Sequence, residues 1–287
     1  MTERIDSALG WATEQISNLS ESPRLDAELL LAHCLDKPRS YLYTWPEQIL
    51  ENTCWQEFQQ LVSRRLLPTP VAYLLGNREF YDLEFSTSPA ALVPRPETEL
   101  LIEQALSIIL EDKPIRALDL GTGTGIIAIT LKKHRPLVKM TATDVDPQCL
   151  ELARVNAGRH AVDIDFILSS WFDRLEADPP FDIIVSNPPY IAAEHPFMAQ
   201  GDLPAEPALA LTPGATGLEA LEIIIPKAPG YLSPGGYVIV EHGYDQQAGV
   251  ASLFRDHGFN EIACHFDLND LPRITRAKLV DNGGRSK

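Results

Sequence analysis

The pattern of apolar and polar positions changes character near Gly76. Before that residue, apolar side chains recur at every third or fourth position, as at Ile5, Leu9, Ala12 and Ile16, which predicts amphipathic helices. Prolines, which start or end helices, interrupt this pattern at Pro23, Pro38, Pro46, Pro68 and Pro70. Residues 1–77 are therefore predicted to form an N-terminal domain, a bundle of four or five short helices.

The segment that follows is predicted to contain a short strand and then a helix. Residues 78–86 alternate loosely between apolar and polar side chains, which predicts one strand, half of a hairpin that bridges the two domains. The run Pro94-Arg-Pro-Glu97 predicts the start of a helix that ends near Leu110, because proline and glutamate are favoured in a first helical turn.

From about residue 114 onward, strands alternate with helices, which predicts a parallel sheet. Strands are expected at 115–119, 139–144, 164–168, 181–187 and 235–241, and helices at 125–134, 147–158, 216–229 and 246–257. Two more strands, at 261–267 and 273–280, are joined too closely for a parallel crossover and should pair antiparallel. Residues 78–287 thus predict an α/β domain with a seven-stranded, mostly parallel sheet and an antiparallel last strand.

Composition excludes some classes of function. The chain has 287 residues and a formal net charge of −16, so it lacks the basic footprint usual for a duplex DNA partner. This acidity favours a basic or neutral macromolecular partner. No apolar run approaches the ~20 residues of a membrane span, and the polar N-terminus is unlike a signal peptide. The four cysteines lack metal-site spacing, so we expect no metal and a reducing, cytoplasmic location.

A glycine-rich loop follows the first strand of the parallel sheet. Its pattern, Asp119-x-Gly121-x-Gly123-x-Gly125, lets the backbone approach a ligand and exposes the N–H groups of a helix start. Dinucleotide enzymes typically show Gly-x-Gly-x-x-Gly instead, whereas this spacing is the form associated with class I S-adenosylmethionine methyltransferases. A dinucleotide site and a tight turn without a ligand are the alternatives.

Three further residues extend this candidate cofactor site. Asp144 ends the second strand and can accept hydrogen bonds from ribose hydroxyls, or else cap the helix that begins near Pro147. Asp119 can bond either the glycine loop or the methionine amine of the cofactor. Trp171 can pack in the core or form a wall against adenine.

The tetrapeptide Asn187-Pro188-Pro189-Tyr190 follows a strand of buried character, at the sheet edge where open α/β sheets bind ligands. Its prolines stiffen the turn and provide no N–H groups. The Asn187 side-chain oxygen and a free proline carbonyl can therefore accept both hydrogens of a planar –NH2 group, with the Tyr190 ring stacked on its face. The alternative is a plain Pro-Pro turn.

These motifs, in this order, resemble amino-group methyltransferases, and several segments are similar to one branch of them, the HemK/PrmC family. They are Arg24-Leu-Asp-Ala-Glu-Leu-Leu-Leu, Pro70-Val-Ala-Tyr-Leu-Leu-Gly-Asn-Arg-Glu-Phe-Tyr, Val93-Pro-Arg-Pro-Glu-Thr-Glu, Ser170-Trp-Phe, Asn187-Pro-Pro-Tyr-Ile and Glu241-His-Gly. The resemblance covers residues 20–245. It implies methylation of the glutamine in the Gly-Gly-Gln motif of peptide chain release factors.

The resemblance also implies the site residues. The cofactor S-adenosylmethionine would be held by Gly121, Thr122, Gly123, Thr124, Gly125, Asp144, Trp171 and Asn187. The substrate would be held by Asn187, Pro188, Pro189 and Tyr190, of which Asn187, Pro188 and Tyr190 are the catalytic candidates. Ser170 stands where the family commonly has an acidic residue, so the resemblance does not extend to an adenine contact by that side chain.

Other acidic and basic groups are expected to have supporting roles. Glu241 and His242 end the fifth strand, and we interpret them as structural rather than as a general base. The long segment Ile191–Gly214 is typical of a lid or binding loop, in which Glu194, Asp202 and Glu206 are expected to be solvated. We expect the N-terminal bundle to dock the release factor, with a role in packing alone as the alternative, and the enzyme to act as a monomer.

Two rival functions remain, the second of them from another class. A nucleic-acid adenine-N6 methyltransferase would need a recognition domain, and the sheet elements leave little room for one. A non-catalytic S-adenosylmethionine-binding translation factor would bind the cofactor without turnover.

Overall fold

The computed structural model describes residues 3–281. Within it the chain forms two compact units. Among the described residues, one consists of 3–77 together with the later segment Ala199–Glu206, and the other consists of Arg78–Met198 and 207–281. The first boundary in the chain therefore falls at Asn77, and the first unit also includes a short segment from the second half of the chain.

The first unit is helical in residues 3–77. Its five helices are α1 (Ile5–Gln15), α2 (Pro23–Leu35), α3 (Arg39–Thr44), α4 (Asn52–Arg65) and α5 (Val71–Leu75). Pro23 lies in the first turn of α2, and Gly76 ends α5 at a φ of 74°. Apolar stripes from these helices share one core, and the bundle of short helices predicted from periodicity is confirmed.

Segment Ala199–Glu206 is held in this unit by a buried ion-pair chain. Arg65, 3% exposed, donates to Asp26 Oδ2 at 2.9 Å and to Asp202 Oδ1 at 2.7 Å. Glu206 is also buried, whereas Glu194 is exposed. The expectation of full solvation is therefore wrong for Glu206, which is buried, and only partly met by Asp202, whose side chain is 27% exposed and paired with the buried Arg65.

The second unit begins with a hairpin. Strands β1 (Asn77–Phe80) and β2 (Leu83–Ser86) form a two-stranded sheet of their own. Residues 78–86 were expected to be one strand of a hairpin, and they instead contain the turn and nearly both strands. The chain reverses at Tyr81, whose φ is 59°, so the loose alternation was that of two very short strands.

A seven-stranded sheet forms the centre of the second unit. Its strands, in chain order, are β3 (Arg116–Leu120), β4 (Lys139–Asp144), β5 (Asp165–Leu168), β6 (Phe181–Ser186), β7 (Leu232–Glu241), β8 (Phe259–Phe266) and β9 (Pro272–Leu279). The spatial order is β5-β4-β3-β6-β7-β9-β8. Strands β3 to β7 are parallel, and β9 runs antiparallel to both β7 and β8, as predicted.

Helices cover both faces of this sheet. They are α6 (Thr98–Ile108), α7 (Ile126–His134), α8 (Pro147–Arg159), α10 (Glu219–Lys227) and α11 (Gln247–Asp256). The second unit also contains α9 (Ala208–Leu211) and a 3-10 turn at Ala228–Gly230, and two more 3-10 turns, Pro196–Ala199 and Leu203–Ala205, lie along the segment that enters the first unit at Ala199. Along β6, Ile183 and Val185 join one apolar cluster while Ile184 joins the other. Alternate side chains of one strand thus face opposite layers, which explains its continuous apolar sequence.

The topology brings the motifs together. Strands β4, β3 and β6 are parallel neighbours, so the residues that follow their carboxyl ends meet at one edge of the sheet. Within residues 3–281, no helix is long and apolar enough to cross a membrane.

Candidate active site

A cavity of about 330 Å³ lies at this edge of the sheet, a size typical of small-molecule sites. Its lining comes from the segment before α6, the glycine loop with the start of α7, the ends of β4, β5 and β6, the first turn of α8, the segment around α9 and the start of α10. Among the lining residues are Ala90, Leu92, Val93, Arg95, Thr98, Gly121, Thr122, Gly123, Thr124, Asp144, Asp146, Ser170, Trp171, Asn187, Pro189, Pro207, Leu209 and Pro213.

The glycine loop approaches the cavity through its backbone. The N–H groups of Gly121 and Thr122 both donate to the Thr143 carbonyl at 2.9 Å, which fixes the loop to β4. Gly121 has a φ of 72°, and a Cβ there would lie 3.5 Å from the Trp171 ring. Gly125 does not belong to the cavity lining. A Cβ on it would lie 2.8 Å from Ile129 Cδ1, so this glycine permits close helix packing.

Asp119 supports the loop from below. Its carboxylate is fully buried, and Oδ2 accepts the Thr122 hydroxyl at 2.7 Å. Burial raises the pKa of Asp119 to about 7, although the Thr122 hydroxyl and the Ala128 N–H both act to lower it. Asp119 does not line the cavity, so of its two expected roles the geometry favours the bond to the loop.

Asp144 connects the loop to the next helix. Its Oδ2 accepts the Gly123 N–H at 2.8 Å and its Oδ1 accepts the Asp146 N–H at 2.9 Å. The cap of α8 is Asp146, whose side chain accepts the Gln148 N–H, so the helix-cap alternative for Asp144 is not supported. Each Asp144 oxygen thus uses one lone pair and keeps another, and Asp144 lines the cavity. Burial raises the pKa of Asp144.

Trp171 forms another wall of the cavity. Its backbone lies in the left-handed region, at a φ of 49°. Ser169 stabilises this turn, because its hydroxyl donates to the Trp171 carbonyl at 3.1 Å and accepts the Arg174 N–H at 3.0 Å. The neighbouring Ser170 also lines the cavity, with a hydroxyl where an acidic residue was the family expectation.

These residues fit an adenosine-containing cofactor. The open backbone at Gly121 and Gly123 suits a chain of polar atoms. The spare acceptors of Asp144 suit a ribose, and the flat indole of Trp171 suits an aromatic base. No pyrophosphate-binding Gly-x-Gly-x-x-Gly spacing is present in this loop.

The Asn187 turn is held by a chain of hydrogen bonds. Asn187 Nδ2 donates to Thr98 Oγ1 at 3.0 Å, and the Thr98 hydroxyl donates to Glu241 Oε2 at 2.7 Å. The Tyr190 hydroxyl donates to the other carboxylate oxygen, Oε1, at 3.1 Å. One buried carboxylate at the end of β7 therefore holds both the first and the last residue of the tetrapeptide.

Two acceptors of the turn stay uncommitted. Among the residues that the structure describes, neither Asn187 Oδ1 nor the Pro188 carbonyl accepts a hydrogen bond. Asn187 and Pro189 line the cavity, while Pro188 and Tyr190 lie beside it. The Tyr190 carbonyl accepts Gln246 Nε2 at 2.9 Å. The turn can thus present two acceptors to an incoming donor group.

Glu241 ends β7 and His242 directly follows it, and their pKa values shift in opposite directions. Glu241 is fully buried, and burial raises its pKa to about 7 even though the Thr98 and Tyr190 hydroxyls lower it. His242 is buried with Nδ1 2.8 Å from the Gly243 carbonyl and Nε2 2.8 Å from Thr275 Oγ1, and burial lowers its pKa. Neither side chain lines the cavity, which agrees with a structural interpretation.

Sequence reasoning missed Thr98 and the cavity wall at residues 90–95, whereas residues 207–213 lie in the segment Ile191–Gly214 that was interpreted as a lid or binding loop. Thr98 follows the Pro94–Glu97 run, which was interpreted as a helix start and as part of a segment that resembles the family, without a role in the site. Its hydroxyl contact with Asn187 joins positions 89 residues apart, and no local pattern reports such a contact.

Comparison with known proteins identifies the family. Residues 7–76 match the model of the PrmC N-terminal domain, and residues 97–215 match the model of the methyltransferase small domain. A release factor glutamine methyltransferase from Vibrio cholerae is 44% identical over 96% of both chains. One from Shewanella oneidensis is 41% identical, also over 96% of both chains. The chain belongs to the release factor glutamine methyltransferase family.

The fold agrees with this assignment. A methyltransferase from Pyrococcus furiosus superimposes with a TM-score of 0.54 at 19% identity, covering 70% of this chain and 91% of that one. The class I methyltransferase fold, the family resemblance and S-adenosylmethionine as cofactor are thereby confirmed. As a member of this family, the chain is an S-adenosylmethionine-dependent methyltransferase.

Proposed function

We propose that this chain transfers a methyl group from S-adenosylmethionine to the side-chain amide nitrogen of the glutamine in the Gly-Gly-Gln motif of peptide chain release factors. Full-length relatives that carry the name release factor glutamine methyltransferase support the substrate. The observation that carries the chemistry is the pair of uncommitted acceptors, Asn187 Oδ1 and the Pro188 carbonyl, beside the cofactor cavity.

An amide nitrogen is a poor nucleophile because its lone pair is delocalised into the carbonyl group. Asn187 Oδ1 and the Pro188 carbonyl accept the two N–H groups of the glutamine, which shifts electron density onto nitrogen and fixes the direction of its remaining lone pair. Tyr190 is held by Glu241 and Gln246, so its ring is a rigid surface beside the amide. Positioning is the main contribution of these residues.

Bound S-adenosylmethionine supplies an electrophilic methyl group on a positively charged sulfur. In our assignment Gly121, Thr122, Gly123, Thr124, Asp144 and Trp171 hold it, with Gly125 acting through packing. The amide nitrogen loses one proton to water with or after transfer, because an amide that has gained the methyl group and still holds both N–H hydrogens is a strongly acidic cation, so no strong base is required. His242 is unsuited to that task, since both its ring nitrogens are engaged.

The rival functions receive less support. The net charge of −16 disfavours a nucleic-acid substrate. A non-catalytic cofactor-binding protein has no need for a stiff turn with two free acceptors. Because one chain carries both the cavity and the turn, we propose that a monomer is sufficient. Release factors act on ribosomes, which places the proposed reaction in the cytoplasm.

The helical unit is the proposed docking platform for the release factor. It carries exposed apolar side chains between α3 and α4, of which Trp45 is 56% and Ile49 58% exposed. Exposed aromatic and aliphatic side chains of this kind are common anchors in protein interfaces. Trp45→Ser with Ile49→Ser should raise KM for the intact release factor several-fold and leave KM for a short Gly-Gly-Gln peptide unchanged. Leu110→Ser, at an equally exposed position, is the control.

The direct test of the proposed function uses the full chain and labelled S-adenosylmethionine. It is incubated separately with a release factor, with the same factor carrying glutamate in place of the motif glutamine, and with duplex DNA. We expect label only in the first reaction, and a mass increase of one methyl group on the peptide that contains the glutamine. Label on DNA, or on another residue of the release factor, would refute the proposal.

A further inference from the structure

The hydrogen-bond chain behind the turn has a direction. An ionised carboxylate accepts hydrogen bonds and donates none, so the Thr98 hydroxyl must point its hydrogen at Glu241 Oε2, 2.7 Å away. Thr98 Oγ1 can then offer only a lone pair to Asn187. The side-chain NH2 of Asn187, at 3.0 Å, is the group that satisfies that lone pair.

This direction determines what Asn187 presents to the substrate. An asparagine amide has two nearly isosteric ends, and a flip about its last bond exchanges an acceptor for a donor. With NH2 held by Thr98, Oδ1 faces outward and can accept an N–H of the target amide. In the flipped state NH2 would face the NH2 group of the glutamine, two donors would oppose each other, and the substrate would not bind productively.

We propose that Glu241 is a positioning residue which, through the Thr98 hydroxyl, selects the orientation of the Asn187 amide that accepts the substrate N–H. The inference rests on the proposed function, since it specifies how the amide-binding turn of that same site is kept in its active form. It assigns a role in the reaction to two residues, Thr98 and Glu241, that do not touch the reacting atoms.

Protonation of Glu241 would remove the selection. A protonated carboxyl can donate to Thr98, the Thr98 hydroxyl can then donate to Asn187 Oδ1, and the flipped amide becomes equally satisfied. The groups that face Glu241 set its titration: the Thr98 and Tyr190 hydroxyls and Arg273 of β9 favour the ionised form, and Glu97 opposes it. Arg95 lies near Tyr190, and His242 follows in the chain.

The proposal predicts a specific pH dependence. Burial raises the pKa of Glu241 to about 7, so the maximal rate at saturating substrates should rise as pH increases through about 7 and level off above it. The substrate amide does not titrate in this range. Glu241→Gln should give a lower rate that is flat between about pH 6 and pH 8.5, because a neutral carboxamide can donate or accept at Thr98 at any pH.

The decisive variants are at Thr98. Thr98→Val keeps the shape but breaks the relay, and it should lower kcat about 10- to 100-fold, the usual effect of losing a supporting hydrogen bond, with the rise near pH 7 lost. Thr98→Ser keeps the hydroxyl and should retain most of the rate and the same pH profile. Cofactor affinity, measured by calorimetry, should change little in either variant, since the effect lies in kcat.

A double-mutant cycle separates positioning from packing. In Asn187→Asp both ends of the side chain are acceptors, so no orientation remains to be selected. Adding Thr98→Val to Asn187→Asp should therefore lower kcat by less than about 3-fold, against the 10-fold or greater loss in the wild-type background. A purely structural role for Thr98 predicts equal losses in both backgrounds, and that result would overturn the inference.

The outcomes distinguish the inference from the proposed function. If the wild-type protein does not methylate the glutamine, both fail. If it does and Thr98→Val keeps the wild-type rate, or loses rate while keeping the rise near pH 7, the positioning role alone fails. If circular dichroism shows that Thr98→Val does not fold, the pH profiles of kcat for Glu241→Gln and Thr98→Ser are compared instead. A rise near pH 7 that is retained in Glu241→Gln refutes the positioning role.

Discussion

Removal of the Asp144 carboxylate tests the architecture of the cofactor site most directly. Asp144 accepts the Gly123 N–H at 2.8 Å and the Asp146 N–H at 2.9 Å, so Asp144→Ala removes two hydrogen bonds to a charged acceptor. Each such bond contributes about 1.5–3 kcal/mol. Because the residue borders a cavity, water can replace part of this loss, and we expect the free energy of unfolding to fall by about 1.5–3 kcal/mol in total.

The effect on the cofactor is separate from the effect on stability. Each Asp144 oxygen keeps a lone pair for a ribose hydroxyl, and loss of a buried acceptor costs about 1–3 kcal/mol of binding free energy. At 25 °C this corresponds to an increase of about 5- to 150-fold in the dissociation constant of S-adenosylmethionine. The maximal rate should largely recover at saturating cofactor, because Asp144 does not contact the substrate amide.

Titration calorimetry measures this affinity, and urea unfolding measures the stability of the same samples. Asp163→Asn, at an exposed position outside the cavity lining, controls for the loss of one negative charge. Burial raises the pKa of Asp144, so wild-type affinity should also fall as pH is lowered through that raised pKa, since only the ionised form accepts at both oxygens. A folded Asp144→Ala protein with unchanged cofactor affinity would refute the ribose assignment.

Three more perturbations test the rest of the structure. Asn187→Ala should lower kcat about 10²- to 10³-fold with cofactor affinity little changed, and Asn187→Asp should lose less, as measured by methyl transfer at saturating substrates. The free energy of unfolding should fall from about pH 6 to pH 8, because burial raises the pKa values of Asp119 and Glu241 to about 7 and the folded state therefore binds protons that the unfolded state has released; equal urea midpoints at both pH values would contradict this. Arg65→Met should destabilise the protein by about 3–5 kcal/mol by leaving the buried Asp26 carboxylate and the partly exposed Asp202 carboxylate unpaired, while the exposed Arg64→Met changes urea stability by less than about 0.5 kcal/mol.

Much of the fold was predictable because it is encoded by local periodicity. The alternation of strands and helices after residue 114 predicted the parallel sheet, and the short connection between the last strands predicted their antiparallel pairing. The hairpin at residues 77–86 was harder, since strands of four residues are too short to show a full alternation.

The site was predictable where one short motif carries it, and unpredictable where distant residues meet. The glycine loop and the Asn187 turn each span only a few consecutive residues, and each is recognisable from its composition. Thr98 and Glu241 reach the turn from 89 and 51 residues away, through hydrogen bonds that depend on the packing of α6 and β7. Local patterns assign such residues to a helix start and a strand end, which is correct but incomplete.

The path of the chain after the turn affects how the two-unit organisation is tested. Segment Ala199–Glu206 belongs to the helical unit, where Asp202 pairs with Arg65, and Pro207 and Leu209 directly after it line the cofactor cavity. Deletion of the helical bundle would therefore remove the partners of this segment. Because the segment continues directly into Pro207 and Leu209, its displacement would also disturb a wall of the cavity. Loss of activity after such a deletion would not separate docking from cavity structure, so surface substitutions in the full chain are the stronger test of docking.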